Sequence, residues 1–222
     1  MAQSTFSYSV PAAPPHWRDE DNLTRLSWDD IPALPPFQRH DGSGPAIYQT
    51  EVRLCADRQA LYLHYDCQDI DIWGTYTERD QPIYDEEVVE LFLAPGPDVP
   101  TRYYEFEVSP NGVLFDAKIH NPNPGQAKIE IFTEWDCPGI QWHAERHDEA
   151  DRWTVALVIP WAADSPPGPL PSLWRANFYR IERPRGAEPE FSCWSPTLAQ
   201  PANFHIPSRF GLLHLPFTEQ LP

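Results

Sequence analysis

Proline restricts this chain more than any other feature. It occurs 27 times in 222 residues, about 12% against a usual level of about 5%. The pyrrolidine ring fixes φ and removes the backbone donor, so it breaks helix interiors and central strand ladders. Long helices and coiled coils are disfavoured from the start. Disorder is disfavoured too, because 41% hydrophobic and 13% aromatic residues suffice for a core. With 9 Trp, 9 Tyr and 11 Phe in a helix-poor chain, the expectation is a β-rich domain with aromatic surface to spare. The length suits one large β domain, able to bury roughly 70% of its unfolded surface without staples.

Charge narrows the partners. Sixteen Lys+Arg against 33 Asp+Glu leave a net charge of −17, which repels phosphate backbones and excludes nucleic acid and anionic membranes. No segment approaches the ~20 apolar residues of a membrane span. The start, MAQSTFSYSVPAAPPHW, has neither the basic head nor the apolar run of a signal peptide. The chain as it stands therefore reads as cytoplasmic, or as exported with its signal removed. Cys55, Cys67, Cys137 and Cys193 form no zinc spacing,. Cys55 and Cys67 flank a hairpin centred near Arg58, which sets Cys55 beside Leu61 and Cys67 beside Gln49, too far apart along the ladder to bridge. Buried, reduced thiols are expected.

Residues 1–45 are Pro-rich and irregular, with an apolar stretch from Trp17 to Trp28, and are expected to pack on the domain formed by residues 46–222. Strand signals then recur. Tyr48 to Cys55 alternates; after the turn Ala56 to Gln59, Leu61, Leu63, Tyr65 and Cys67 share a face,. In Glu87 to Leu93, Val89, Leu91 and Leu93 face one way and Val88, Glu90 and Phe92 the other. The clearest hairpin runs from Tyr103 to Ile119, turning at Ser109-Pro110-Asn111-Gly112, where proline presets the second turn position and Asn-Gly accepts positive φ,. Further strands are read at Lys128–Trp135, Gln141–Glu145, Trp153–Ile159, Trp174–Ile181, Phe191–Trp194 and Gly211–Leu215, with a Pro-rich loop from Asp164 to Pro171. Trp153 to Ile159 is apolar on both faces and is expected to be central. The pattern is an all-β, antiparallel β-sandwich, immunoglobulin-like or jelly-roll-like, with long Pro-rich loops.

Several segments, in order, carry a resemblance. They are Leu61-Tyr62-Leu63 with Asp69, Arg79-Asp80, and Tyr84 through Phe92. Next come Tyr104 through Gly112 with Asp116, Trp153 to Trp161, and Trp174 to Arg180. The set closes with Trp194-Ser195-Pro196 and Pro207 through Gly211. Over roughly residues 45–215 this ordered set resembles the family 9 carbohydrate-binding modules and the related DOMON-like sandwich domains. The resemblance implies a β-sandwich that grips the end of a glucan or xylan chain between two aromatic rings, without catalysis. It puts one ring at Tyr84, the other at Phe204, and the sugar-binding strand carboxylate at Glu90. The family carries tryptophan at both ring positions. It also has an arginine in the middle hairpin, where this chain has Glu107.

The residues themselves leave competing roles for each site. Pyranose C–H faces stack on flat rings, and charged partners strengthen hydrogen bonds to hydroxyls. Tyr84 and Phe204 fit that work, or each caps an end of the sandwich. Glu90, mid-strand beside Val88 and Phe92, is costly to bury unless partnered; a ligand, or Arg180 or Arg79, would satisfy it. Asn177 and Arg180 fall on opposite faces of their strand, and Asn177 is taken as the one sharing Glu90's surface. Trp73 either widens a sugar platform or covers an edge. Asp66, Asp69 and Asp71 are oxygen-rich enough to suit a structural calcium ion but lack the glycine and terminal glutamate of an EF-hand loop. No other cofactor is expected: Met1 is the only methionine, so Met/His haem ligation is out of reach. His143 and His147 lie in a strand end, a poor zinc site. Asp85-Glu86-Glu87 reads as a solvated strand start. The leading function is non-catalytic binding of a saccharide by Tyr84, Phe204, Glu90, Glu107, Asn177 and Trp73. The alternatives are a protein-interaction module and, further off, a glycoside hydrolase.

Overall fold

A computed structural model describes residues 6–20, 22–123, 129–161 and 170–217. Among the described residues, thirteen strands form two sheets. The smaller sheet contains β3 (Thr50–Ala56), β4 (Ala60–Gln68), β9 (Gln141–His147) and β10 (Arg152–Pro160), in the order β3-β4-β10-β9. The larger sheet is built on β5 (Val88–Pro95), β6 (Arg102–Val108), β7 (Leu114–His120), β8 (Glu130–Phe132), β11 (Leu173–Glu182) and β13 (Gly211–His214). Its path is β13-β11-β5-β6-β7-β8, with β12 (Glu190–Cys193) on the other half of β11. Apart from one parallel pair at its edge, these ladders are antiparallel.

The period of two sets the layers. Val89, Leu91 and Leu93 of β5, Phe106 and Val108 of β6, and Trp174, Ala176 and Phe178 of β11 point at the smaller sheet. They meet Leu61, Leu63 and Tyr65 of β4 and Trp153, Val155, Leu157 and Ile159 of β10. β10 is central in its sheet, as its two apolar faces require; its outward Ala156 and Val158 are covered by Trp17, Leu23, Leu26, Trp28 and Ile31 of the N-terminal segment. That segment also lends two strands the sequence pattern does not show: β1 (Ser7–Ser9), parallel to β13, and β2 (Gln38–Arg39), on β12. Both are too short for a periodic signal.

The middle hairpin turns where expected. Gly112 N–H donates to the Ser109 carbonyl at 2.9 Å, and Gly112 takes φ 78° while Asn111 does not. The β3–β4 register is one residue away from the sequence reading: Cys55 faces Tyr62 and Cys67 faces Thr50. The Asp57 carboxylate accepts the amides of Gln59 and Ala60 and thereby sets the turn. All four cysteines are buried and none forms a disulfide among the described residues. Lys128 and most of the Asp164–Pro171 loop lie outside the described residues.

Candidate functional site

The outer face of the larger sheet carries the other alternate residues: Glu90 and Phe92 of β5, Tyr103, Glu105 and Glu107 of β6, Phe115 of β7, and Asn177, Tyr179 and Ile181 of β11. The segment 204–210 folds over part of this face, where Phe204 and Phe210 join a second apolar cluster with Phe92, Tyr103 and Tyr179. What is left open is a groove of about 350 Å³. Tyr84, Phe204, Glu90 and Glu107 all line it, together with Asp85, Glu105, Phe115, Arg183, Phe191 and His205. Among the described residues, depressions of about 560 and 430 Å³ are larger. One has no aromatic wall, and neither contains any of the four expected residues.

Strand order positions the rings. Tyr84 stands in the 3₁₀ turn before β5, 42% exposed, with its ring edge-on to Phe115 of β7 at 5.7 Å. Phe204 stacks on Tyr179 of β11, centroids 4.2 Å apart, and its carbonyl accepts the Tyr179 hydroxyl. β7 and β11 are three strand spacings apart, about 14 Å. The two rings therefore flank the intervening strands β5 and β6, which carry the carboxyls. His205 fastens the Phe204 loop: Tyr103 Oη lies 2.8 Å from its Nδ1, and Asn121 donates to its carbonyl.

Glu90 lies directly across the ladder from Glu107, and Glu105 is two residues along on the same face. An oxygen from each of the three lies within 4.8 Å of the others, and all three residues are buried. Burial, then mutual repulsion, holds Glu90 and Glu107 well above the ordinary carboxylate range, and burial brings Glu105 to about 7. Burial lowers His205 to about 4, so it is neutral at pH 7 although its ring lies 4.0 Å from Glu105. Neither arginine considered as a partner for Glu90 reaches it. Arg180 points to the opposite face, where it binds Asp69, Glu182 and the Gln68 carbonyl; Arg79 binds Asp116 and Asp136.

Asn177 does share Glu90's face, being paired with Phe92, but it does not reach the groove. It is fully buried, donating to the Ser195 carbonyl and accepting from the Ser195 amide. Trp73 is also outside the lining; its indole N–H donates to the Arg183 carbonyl, so it covers an edge. Asp66, Asp69 and Asp71 do not pool their oxygens. Each faces its own arginine, Arg152, Arg180 and Arg185 respectively, because alternate strand and loop positions turn them apart. The expected solvated strand start holds only for Asp85; Glu86 and Glu87 are buried. His143 and His147 share strand β9, about 14 Å apart along it, beyond the reach of one metal ion. Glu105 was legible, since Tyr103, Glu105 and Glu107 alternate with Tyr104, Phe106 and Val108. Phe191, Arg183 and His205 carry no local signal.

The family model for carbohydrate-binding family 9 matches residues 42–215. The chain belongs to this family. A protein of Arthroderma benhamiae described as an extracellular protein is 30% identical over 171 residues, 73% of this chain and 76% of that protein. Among solved structures, the fold is similar to a Bacteroides uniformis protein provisionally described as carbohydrate-binding. That match has a TM-score of 0.72 and 19% identity, over 96% of this chain and all of that one. A family 9 module from Caldicellulosiruptor kristjanssonii in complex with glucose aligns with TM-score 0.63 and 14% identity, over 98% and 99% of the two chains. A cellotriose complex of a family 9 module from the same organism aligns with TM-score 0.60 and 15% identity, over 95% and 93%. A family 9 carbohydrate-binding module is thus the frame in which the groove is to be understood.

Proposed function

We propose that this family 9 module holds a saccharide, a chain end or a small sugar, in the groove between Tyr84 and Phe204 and does not transform it. The observation that carries this is the convergence of the family's two ring positions on one groove, with buried carboxyls between them. Stacking on the rings supplies rigid apolar area, and the carboxyls orient the hydroxyls. Binding without chemistry is favoured by the placement of the acids. Glu90, Glu105 and Glu107 stand together on one sheet face, whereas glycosidic cleavage needs carboxyls on the two sides of the scissile bond. A chain of net charge −17 also suits an uncharged or cationic ligand better than a polyanion,.

Calorimetry with glucose and cellotriose tests the reading. Binding is expected, weakened at least about tenfold in Tyr84→Ala, with no reducing sugar released on prolonged incubation. Absence of binding at millimolar saccharide, or affinity untouched by Tyr84→Ala, overturns it.

A further inference from the structure

Two of the three carboxyls of the groove have too few partners. Among the described residues, no N–H, hydroxyl or basic side chain reaches either oxygen of Glu107, or Oε2 of Glu105. These residues are only 1% and 4% exposed. What remains to them is each other, carboxyl to carboxyl, with burial raising both above the ordinary carboxylate range. The other charged or titratable groups of the groove do not compensate: Asp85 adds negative charge, Tyr84 and His205 are neutral, and Arg183 turns to the Tyr84 carbonyl and the Phe191 ring. A fold that buries acceptors without donors loses stability at that point. Such a site is suited to a ligand that brings donors and positive charge together.

The chemistry of the groove indicates which cation. A primary ammonium has three N–H bonds, one for each carboxyl, and makes charge-assisted bonds to them. One oxygen from each of the three carboxyls lies within 4.8 Å of the other two, so a single small cation can touch all three. A calcium ion takes six to eight oxygens, commonly including backbone carbonyls, but the carbonyls around these residues are engaged in the β5–β6–β7 ladder. On either side stand Tyr84 and Phe204, the ring-sized apolar surfaces that suit a pyranose.

We infer that the groove selects an amino sugar, a pyranose whose free amine enters as an ammonium and is held by Glu90, Glu105 and Glu107. The inference rests on the saccharide-binding reading above and specifies its ligand class. Acetylating the amine removes the charge and two of the three donors, so the acetamido sugar loses the advantage.

Calorimetry decides it with glucosamine, glucose and N-acetylglucosamine, and with the fully deacetylated glucosamine trimer beside cellotriose. The free-amine ligand is expected to bind at least about tenfold tighter than its hydroxyl counterpart. In two buffers of different ionisation enthalpy, it should release protons from the carboxyl cluster on binding. Glu107→Gln, with its melting curve checked for folding, should bring the amine and hydroxyl ligands to within about twofold of each other. Glucose or cellotriose binding as tightly as the amine ligands, in a manner abolished by Tyr84→Ala, would overturn this inference and leave the binding site standing. Failure of every saccharide to bind would overturn both.

Discussion

At the scale of single residues, the two rings share a groove but carry different burdens. Tyr84 is 42% exposed and touches Phe115 by an edge, so its truncation removes the proposed ligand contact and little else. Phe204 is 7% exposed, stacked on Tyr179 and set against Phe191. Phe204→Ala should therefore lower both affinity and stability, the latter by about 3 kcal/mol. Tyr84→Ala should leave the unfolding midpoint within the few tenths of a kcal/mol usual for exposed positions. Urea unfolding of the two variants, read beside sugar titrations, separates these roles; equal stability losses would contradict them. Alternation fixes the strand face of Glu90 and Glu107, whereas Tyr84 and Phe204, in a turn and a loop, were expected from the family resemblance alone. Residue identity was misleading for Asn177. The correct face was legible, but the 194–197 segment that covers that face comes from a later part of the chain.

At the scale of elements, the sandwich depends on close approaches that only particular residues allow. Gly211 opens β13 opposite Ala176 of β11. A Cβ there would lie 2.3 Å from Cζ3 of Trp194 and 3.0 Å from the Phe6 carbonyl oxygen. Trp194 is 1% exposed and fixed among Phe6 and Phe178, so it has no room to retreat. Gly211→Ala should cost about 1–3 kcal/mol by overpacking, seen as a lower urea midpoint at unchanged slope. An unchanged midpoint would mean that β1 and β13 yield more freely than this packing implies. Eleven of the 13 strands correspond to segments legible as alternation or apolar runs. The two short ones, β1 and β2, were not, because their pairing comes from β13 and β12, distant in the chain.

For the whole molecule, acidity becomes a matter of where protons are held. Burial raises Glu105 and Glu182 to about 7 and Glu87 to about 9. It also lowers His64 and His205 to about 4. Raised carboxyls favour the folded state while protonated, and that contribution is lost as pH climbs through their folded values. The lowered histidines act oppositely: between about pH 4 and 6.5 the unfolded chain binds their protons, so stability rises with pH there. The two effects oppose one another below about pH 6.5; above it the histidines drop out, the carboxyls remain, and the buried thiols of Cys55, Cys67 and Cys193, raised to about 12, add a loss of the same sign near pH 9,. The melting temperature is therefore expected to fall steadily from pH 6.5 to 9, and less steeply in Glu107→Gln. A melting temperature that stays level or rises across that window, followed by calorimetry or circular dichroism, would contradict this placement of protons.

Local rules were enough to determine the class of fold, most strand positions, the middle turn and the faces on which Glu90, Glu105 and Glu107 lie. Period-two patterning and proline act over a few residues and are written in the order of the chain. Tertiary structure alone decided that Tyr84 and Phe204 line one groove and that Arg180 serves Asp69 and Glu182 instead of Glu90. It alone also decided that three buried carboxyls stand together with no lysine or arginine paired to them among the described residues. Those facts depend on which distant strands become neighbours, and on the sum of burial and charge at one place, which no stretch of sequence contains.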